Sequence, residues 1–89
     1  MKLGAVIRGN ILYYLYLIYP RSISLTRLQG DLDSQGCPVP MCELDFHAAY
    51  LAEKGFVHTS ANLVSITAKG IDYYDRLLPR ELGIDIGDV

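Results

Sequence analysis

Residues 44–57 read LDFHAAYLAEKGFV, and residues 63–70 read LVSITAKG. In the first stretch Leu44, Ala48 and Leu51 recur at the spacing of one helix face, and Gly55 supplies a stop. The period then changes from helical to extended. Phe56-Val57-His58-Thr59 and Leu63-Val64-Ser65-Ile66 are short runs rich in β-formers, and Ser60-Ala61-Asn62 joins them as a tight hairpin. Thr67 stands where a helix N-cap belongs, with Ile66 and Ile71 spaced as a hydrophobic staple. The passage predicts helix, hairpin, helix.

Upstream, Pro40 suits the first position of the helix that carries Leu44, and Glu43 and Asp45 near its start complement the helix dipole. That helix is expected over residues 39–54, behind a stiff connector, Cys37-Pro38-Val39-Pro40. Ser24 predicts the N-cap of an earlier helix, with Ile23 and Leu28 as its staple, Leu25, Leu28 and Leu32 as its stripe, and Gly36 as its left-handed stop. Residues 2–19 predict the first helix. Leu3, Val6, Ile7, Ile11, Tyr14, Leu15 and Ile18 recur at helical spacing as its stripe, while Leu12, Tyr13, Tyr16 and Leu17 make its last two turns apolar nearly all round. Such a helix must be covered on every side, which points to a second subunit. Pro20 ends it. At the other end Ile71, Tyr74, Leu77 and Leu78 predict the buried side of the last helix, and Pro79 its end. The expected organisation is one domain over residues 1–78 and a C-terminal tail over 79–89.

Composition narrows the class. The chain has 89 residues, 51% of them hydrophobic, with seven tyrosines and no tryptophan. A chain this short buries only about 60–65% of its extended surface, so it needs a dense core or a partner. A disordered tail, a collagen-like fibre, a disulfide scaffold and a highly basic coat protein are all excluded. Two cysteines, Cys37 and Cys42, are too few for a small secreted scaffold, so a reducing cytoplasm is expected. The longest greasy run, Ile11 to Tyr19, is far shorter than the roughly 20 residues of a membrane span. No membrane association is expected.

Helix, helix, helix, hairpin, helix is the order of a winged helix-turn-helix domain, an α+β fold that is mostly α. The stretch Leu44-x3-Ala48-x2-Leu51-x3-Gly55-Phe56-Val57, followed by Val64-x-Ile66-Thr67-x-Lys69-Gly70, resembles the shared core of winged-helix regulators of the MarR and PadR type. A looser similarity is to small winged-helix proteins of Mu-like phages. The resemblance covers roughly residues 11–78 and is more specific for fold than for function. It implies that the third helix is a recognition helix running into the wing, that the last helix serves dimerisation, and that the protein is a homodimeric DNA-binding transcription regulator.

The residues supply less than DNA reading needs. A groove reader wants Arg, Lys, Asn, Gln, Ser or Thr on its recognition helix. Here the positions off the Leu44 stripe are Met41, Cys42, Glu43, Asp45, Phe46 and Ala49, with no cation before Lys54. DNA contact on the resemblance falls to Cys42, Asp45, Phe46, and to Asn62 on the wing, with Arg21 and Arg27 touching phosphate near the second helix. Charge is divided unevenly. Residues 1–36 carry four basic and two acidic groups, residues 37–89 four basic and eight acidic. The acids oppose the phosphate neutralisation that dominates affinity. An alternative is therefore a winged-helix interaction module that binds a protein through Met41, Glu43 and Phe46.

Other chemistry is weakly signalled. Cys37, Cys42, His47 and His58 invite a zinc reading, but Cys42 and His47 are five apart where ligands on one helix prefer three or four, and two small buried thiols with surface or half-buried histidines are the expected explanation. Neither a nucleophile elbow nor a phosphate-binding glycine loop is present, and Glu43 and Asp45 diverge by roughly 200° on a helix. No enzyme, cofactor or metal is expected. Six of the seven tyrosines fall on the first and last helices. Tyrosine suits interfaces because it buries area and keeps a polar tip. Tyr13, Tyr16, Leu17, Tyr73 and Leu77 are the expected homodimer contacts.

Overall fold

The computed structural model of the chain describes the backbone of residues 3–82 and the side chains of residues 4–76. Its elements run α1 (Leu3–Ile18), β1 (Ile23–Ser24), α2 (Leu25–Ser34), α3 (Met41–Glu53), β2 (Val57–Ser60), β3 (Leu63–Ile66) and α4 (Ala68–Leu82). The fold is α+β and mostly α, as the sequence predicts. β2 and β3 pair antiparallel from Val57↔Ile66 to Ser60↔Leu63, and β1 pairs antiparallel on the free edge of β3, giving the order β1-β3-β2.

β1 is the element that the sequence does not announce. Two residues are too few to show an alternation, and only the pairings Ile23↔Val64 and Ser24↔Leu63 make them a strand. The Leu25 amide then donates to the Asn62 carbonyl at 2.9 Å, which ties the start of α2 to the hairpin loop. That loop is Ala61-Asn62, one residue shorter than expected, because Ser60 is already paired with Leu63. Ala61 takes φ 56°, a conformation that glycine adopts without a Cβ clash. Ala61→Gly is expected to raise stability by roughly 0.5 kcal/mol, relief of the strain outweighing the added unfolded-state entropy, read from urea midpoints.

Local signals place the helix ends. Ser24 caps α2, its Oγ accepting from the Arg27 amide at 3.1 Å. Gly36 at φ 84° closes α2, with the Cys37 amide donating to Leu32 and the Gly36 amide to Asp33. Gly55 at φ 83° closes α3 in the same way, with Phe56 donating to Leu51 and Gly55 to Ala52. Two expectations need correction. Pro40 is the extended N-cap of α3 and not its first helical residue; its carbonyl accepts the Glu43 and Leu44 amides, each at 3.0 Å. Pro79 does not end α4, which continues to Leu82. A proline forfeits one hydrogen bond, and the flanking Leu, Arg and Glu are good helix formers. The expected boundary at residue 79 thus falls inside a helix, and residues 83–89 of the expected tail lie outside the described residues.

The core is continuous. Ile11, Leu15, Leu28, Leu32, Leu44 and Val64 are completely buried and join α1, α2, α3 and the sheet. Cover for α1 therefore comes mostly from its own chain. Val6, Tyr13 and Leu17 remain 53%, 43% and 58% exposed, one stripe left bare on the outer side of that helix.

The stretch that decided the fold closes on itself as a joint. The Thr67 amide donates to the Phe56 carbonyl at 3.0 Å, and the Thr67 hydroxyl donates to the Gly55 carbonyl at 2.6 Å. The same hydroxyl oxygen accepts the Gly70 amide at 3.0 Å as the cap of α4. Gly70 is buried against the Phe56 carbonyl, where a Cβ has no room. Gly55, Phe56, Thr67 and Gly70 thus lock the end of α3 to the start of α4.

Candidate functional site

The outer face of α3 carries Cys42, Asp45, Phe46, Ala49 and Glu53, all exposed. They lie opposite Leu44, His47, Ala48 and Leu51, which the helical period turns inward. Phe46 is 64% exposed, the highest value among the large hydrophobic side chains described. Asn62 is exposed on the hairpin loop beside the start of α2, and Arg21 and Arg27 are exposed before and within that helix. Arg27 is partly neutralised by Asp31, with Nε 3.8 Å from the carboxylate. The sequence-predicted DNA set is therefore fully on the surface, yet its α3 members bring two carboxylates near and no cation.

His47 belongs elsewhere than the sequence put it. It is buried, in line with Leu44 and Leu51, and its Nδ1 lies 3.3 Å from the Arg8 guanidinium. Burial lowers its pKa below the ordinary 6.5, the Arg8 charge lowers it further, and Glu43 works the other way. A base whose folded pKa is depressed is protonated more readily in the unfolded chain, so stability is present above pH 6.5 and falls as pH drops below it. Urea midpoints at pH 7 and pH 5 are expected to differ more for the native chain than for His47→Gln, which keeps an acceptor for Arg8.

Arg8 also opens a site that the sequence reading missed. Its guanidinium sits 4.6 Å from the Tyr50 ring centre, and the Lys54 ammonium 5.6 Å from the same ring. Phe56 and Tyr73 stack at 4.3 Å, with Lys69 Nζ 5.9 Å from the Phe56 ring. Between α1 and the end of α3, Arg8, Tyr50, Lys54, Phe56 and Tyr73 line a groove of about 340 Å³ together with Ala5, Gly9, Leu12 and Leu51, and Lys69 stands behind Phe56 outside it. No carboxylate lines it. Arg8, Lys54 and Lys69 make no ion pair among the described residues. Tyr50 and Lys54 are four apart on one helix, a signal visible in sequence, whereas Arg8 arrives from 42 positions earlier and Tyr73 from α4. A larger, open groove of about 570 Å³ lies between α2 and the Pro38–Pro40 connector; its lining has no cation.

The expected dimer tyrosines have partners within the chain. Tyr16 and Tyr13 pack on Tyr74 at 5.1 Å and 6.2 Å, and Tyr73 stacks on Phe56. The Asp75 carboxylate raises the Tyr16 pKa, first by its charge and then by accepting the hydroxyl's hydrogen bond. Leu17 stays bare, and Leu77 lies beyond the described side chains. The thiols and imidazoles are dispersed. Cys37 Sγ accepts from Asn10 at 3.5 Å, Cys42 and His58 are exposed, and among the described residues no three His, Cys, Asp or Glu side chains gather round one point. Among the described residues no helix is long and apolar enough to cross a membrane.

No family model, curated protein or solved structure matches the chain. The residues carry the functional argument alone.

Proposed function

We propose that this chain is a winged-helix module that docks on a protein through the acidic, aromatic face of α3 and does not read DNA. The element order and the β1-β3-β2 sheet support the winged-helix reading, with β2–β3 as the wing behind α3. The carrying observation is Phe46, 64% exposed beside Glu43 and Asp45 on the first turns of α3, which carry no cation before Lys54 at the helix end. Bare aromatic side chains are characteristic anchors of protein interfaces. Carboxylates at the start of the helix repel the phosphates that a groove reader must neutralise. Free thiols at Cys37 and Cys42 fit a reducing cytoplasm.

A DNA-binding homodimeric regulator is the second reading. Exposed Arg21, Arg27 and Asn62 favour it, and the bare Val6, Tyr13 and Leu17 stripe offers a place for the second subunit. Binding to mixed duplex DNA across a salt series separates the two. The docking reading expects affinity no tighter than about 10⁻⁴ M, the weak end of non-specific binding. Tight binding with a steep salt slope that Arg21→Ala and Arg27→Ala together reduce would establish the regulator instead.

A further inference from the structure

We infer that the partner of the α3 face is a second copy of this chain, packed antiparallel so that Phe46 of each copy packs on Tyr50 of the other, at the rim of its groove. The inference rests on the protein-docking reading of α3. Glu43, Phe46, Tyr50 and Lys54 are spaced i, i+3, i+7 and i+11, which keeps them within roughly 80° on the helix. All four are exposed. The stripe begins with an acid, ends with a base and has two rings between. Reversed against itself, it sets Glu43 beside Lys54 of the second copy and Phe46 beside Tyr50, an isologous contact made twice across one axis.

The basic end is more than the usual dipole complement of a helix. Arg8 comes from α1 and Lys69 from α4 to join Lys54 there, and none of the three has an acid partner among the described residues. The groove of about 340 Å³ beside Tyr50 is lined by rings and aliphatic groups together with Arg8 and Lys54, so the rim that Phe46 meets is aromatic and cationic. Glu53 lies on the other edge of the stripe from Glu43 and Lys54, so the packing does not set it against the second copy's Glu43. The acidic-aromatic and cationic-aromatic halves of one helix face thus complement each other in size, polarity and charge. A single helix pair buries little area, so the dimer is weak and salt-sensitive.

Sedimentation velocity on the full chain over a concentration series at low salt tests this. The native chain is expected to dimerise in the micromolar range, with Phe46→Ala weakening the constant more than about tenfold. Glu43→Lys and Lys54→Glu alone are each expected to weaken it about three- to tenfold, and the double variant to return to within about threefold of native. These positions are exposed, so unchanged melting curves will show that the variants fold. A monomer up to about 1 mM overturns the inference. So does a dimer indifferent to these changes but lost in Leu17→Glu, and so does failure of the double variant to recover. Duplex DNA binding that Phe46→Ala abolishes would overturn the docking reading itself, whereas a monomer that binds no duplex overturns only the self-association.

Discussion

Gly70→Ala is expected to unfold this protein or to lower its stability by about 3 kcal/mol or more, the top of the range for overpacking a core. The added Cβ would fall on the Phe56 carbonyl oxygen and 2.8 Å from Ile66 Cγ1. Neither neighbour can yield cheaply. The Phe56 carbonyl is held by the Thr67 amide, and Ile66 is paired with Val57 in the sheet. The contrasting variant is Gly30→Ala, in the interior of α2, where an added Cβ meets nothing within 4 Å. There the better helix propensity of alanine is expected to add about 0.5–1 kcal/mol. Thermal melts of the two variants, with opposite shifts in Tm, check both. Equal and small shifts would show that the α3–α4 joint tolerates a side chain at residue 70.

Leu44→Ala and Phe46→Ala remove large apolar groups two residues apart on one helix, and their effects are expected to differ by an order of magnitude. Leu44 is completely buried, so its truncation leaves a cavity and costs about 2–5 kcal/mol. Phe46 is 64% exposed, and its loss is expected to change stability by less than about 0.5 kcal/mol. Urea unfolding reads the pair directly. A phenylalanine that contributes little to its own fold is free to serve a contact with another molecule. A large stability loss at Phe46 would remove the basis for the docking surface.

Most elements are legible in the sequence because their signals are local. Ser24, Gly36, Gly55 and Thr67 act through neighbours within a few residues, and the structure finds each of them at the helix end expected of it. The stripe Leu44, Ala48, Leu51 is buried as its period demands. Proline proved less decisive than its local chemistry suggests: Pro40 caps without entering the helix, and α4 passes through Pro79. The surface reading of Cys42, Asp45, Phe46 and Asn62 also follows from periodicity and turn position. The inward His47 shares the spacing of Leu44 and Leu51, and an imidazole, polar at its nitrogens and apolar in its ring, suits either face of a helix, so its type alone does not reveal its burial.

What the sequence alone determines about this protein is the order of its helices and hairpin, its principal core face and the acidity of the α3 surface, because these depend on periods and caps a few residues long. Tertiary structure alone decided three things. It made Ile23-Ser24 a strand by pairing it with Val64 and Leu63, far along the chain. It set Tyr13 and Tyr16 against Tyr74, and Tyr73 against Phe56. It also brought Arg8 and Lys54 together on the Tyr50 ring beside a groove, with Lys69 near its Phe56, in a chain of net charge −2. The physical reason is the same in each case. A hydrogen-bond ladder, a ring stack and a cluster of like charges are set by distances through space, and packing brings together groups whose separation along the chain gives no sign of it.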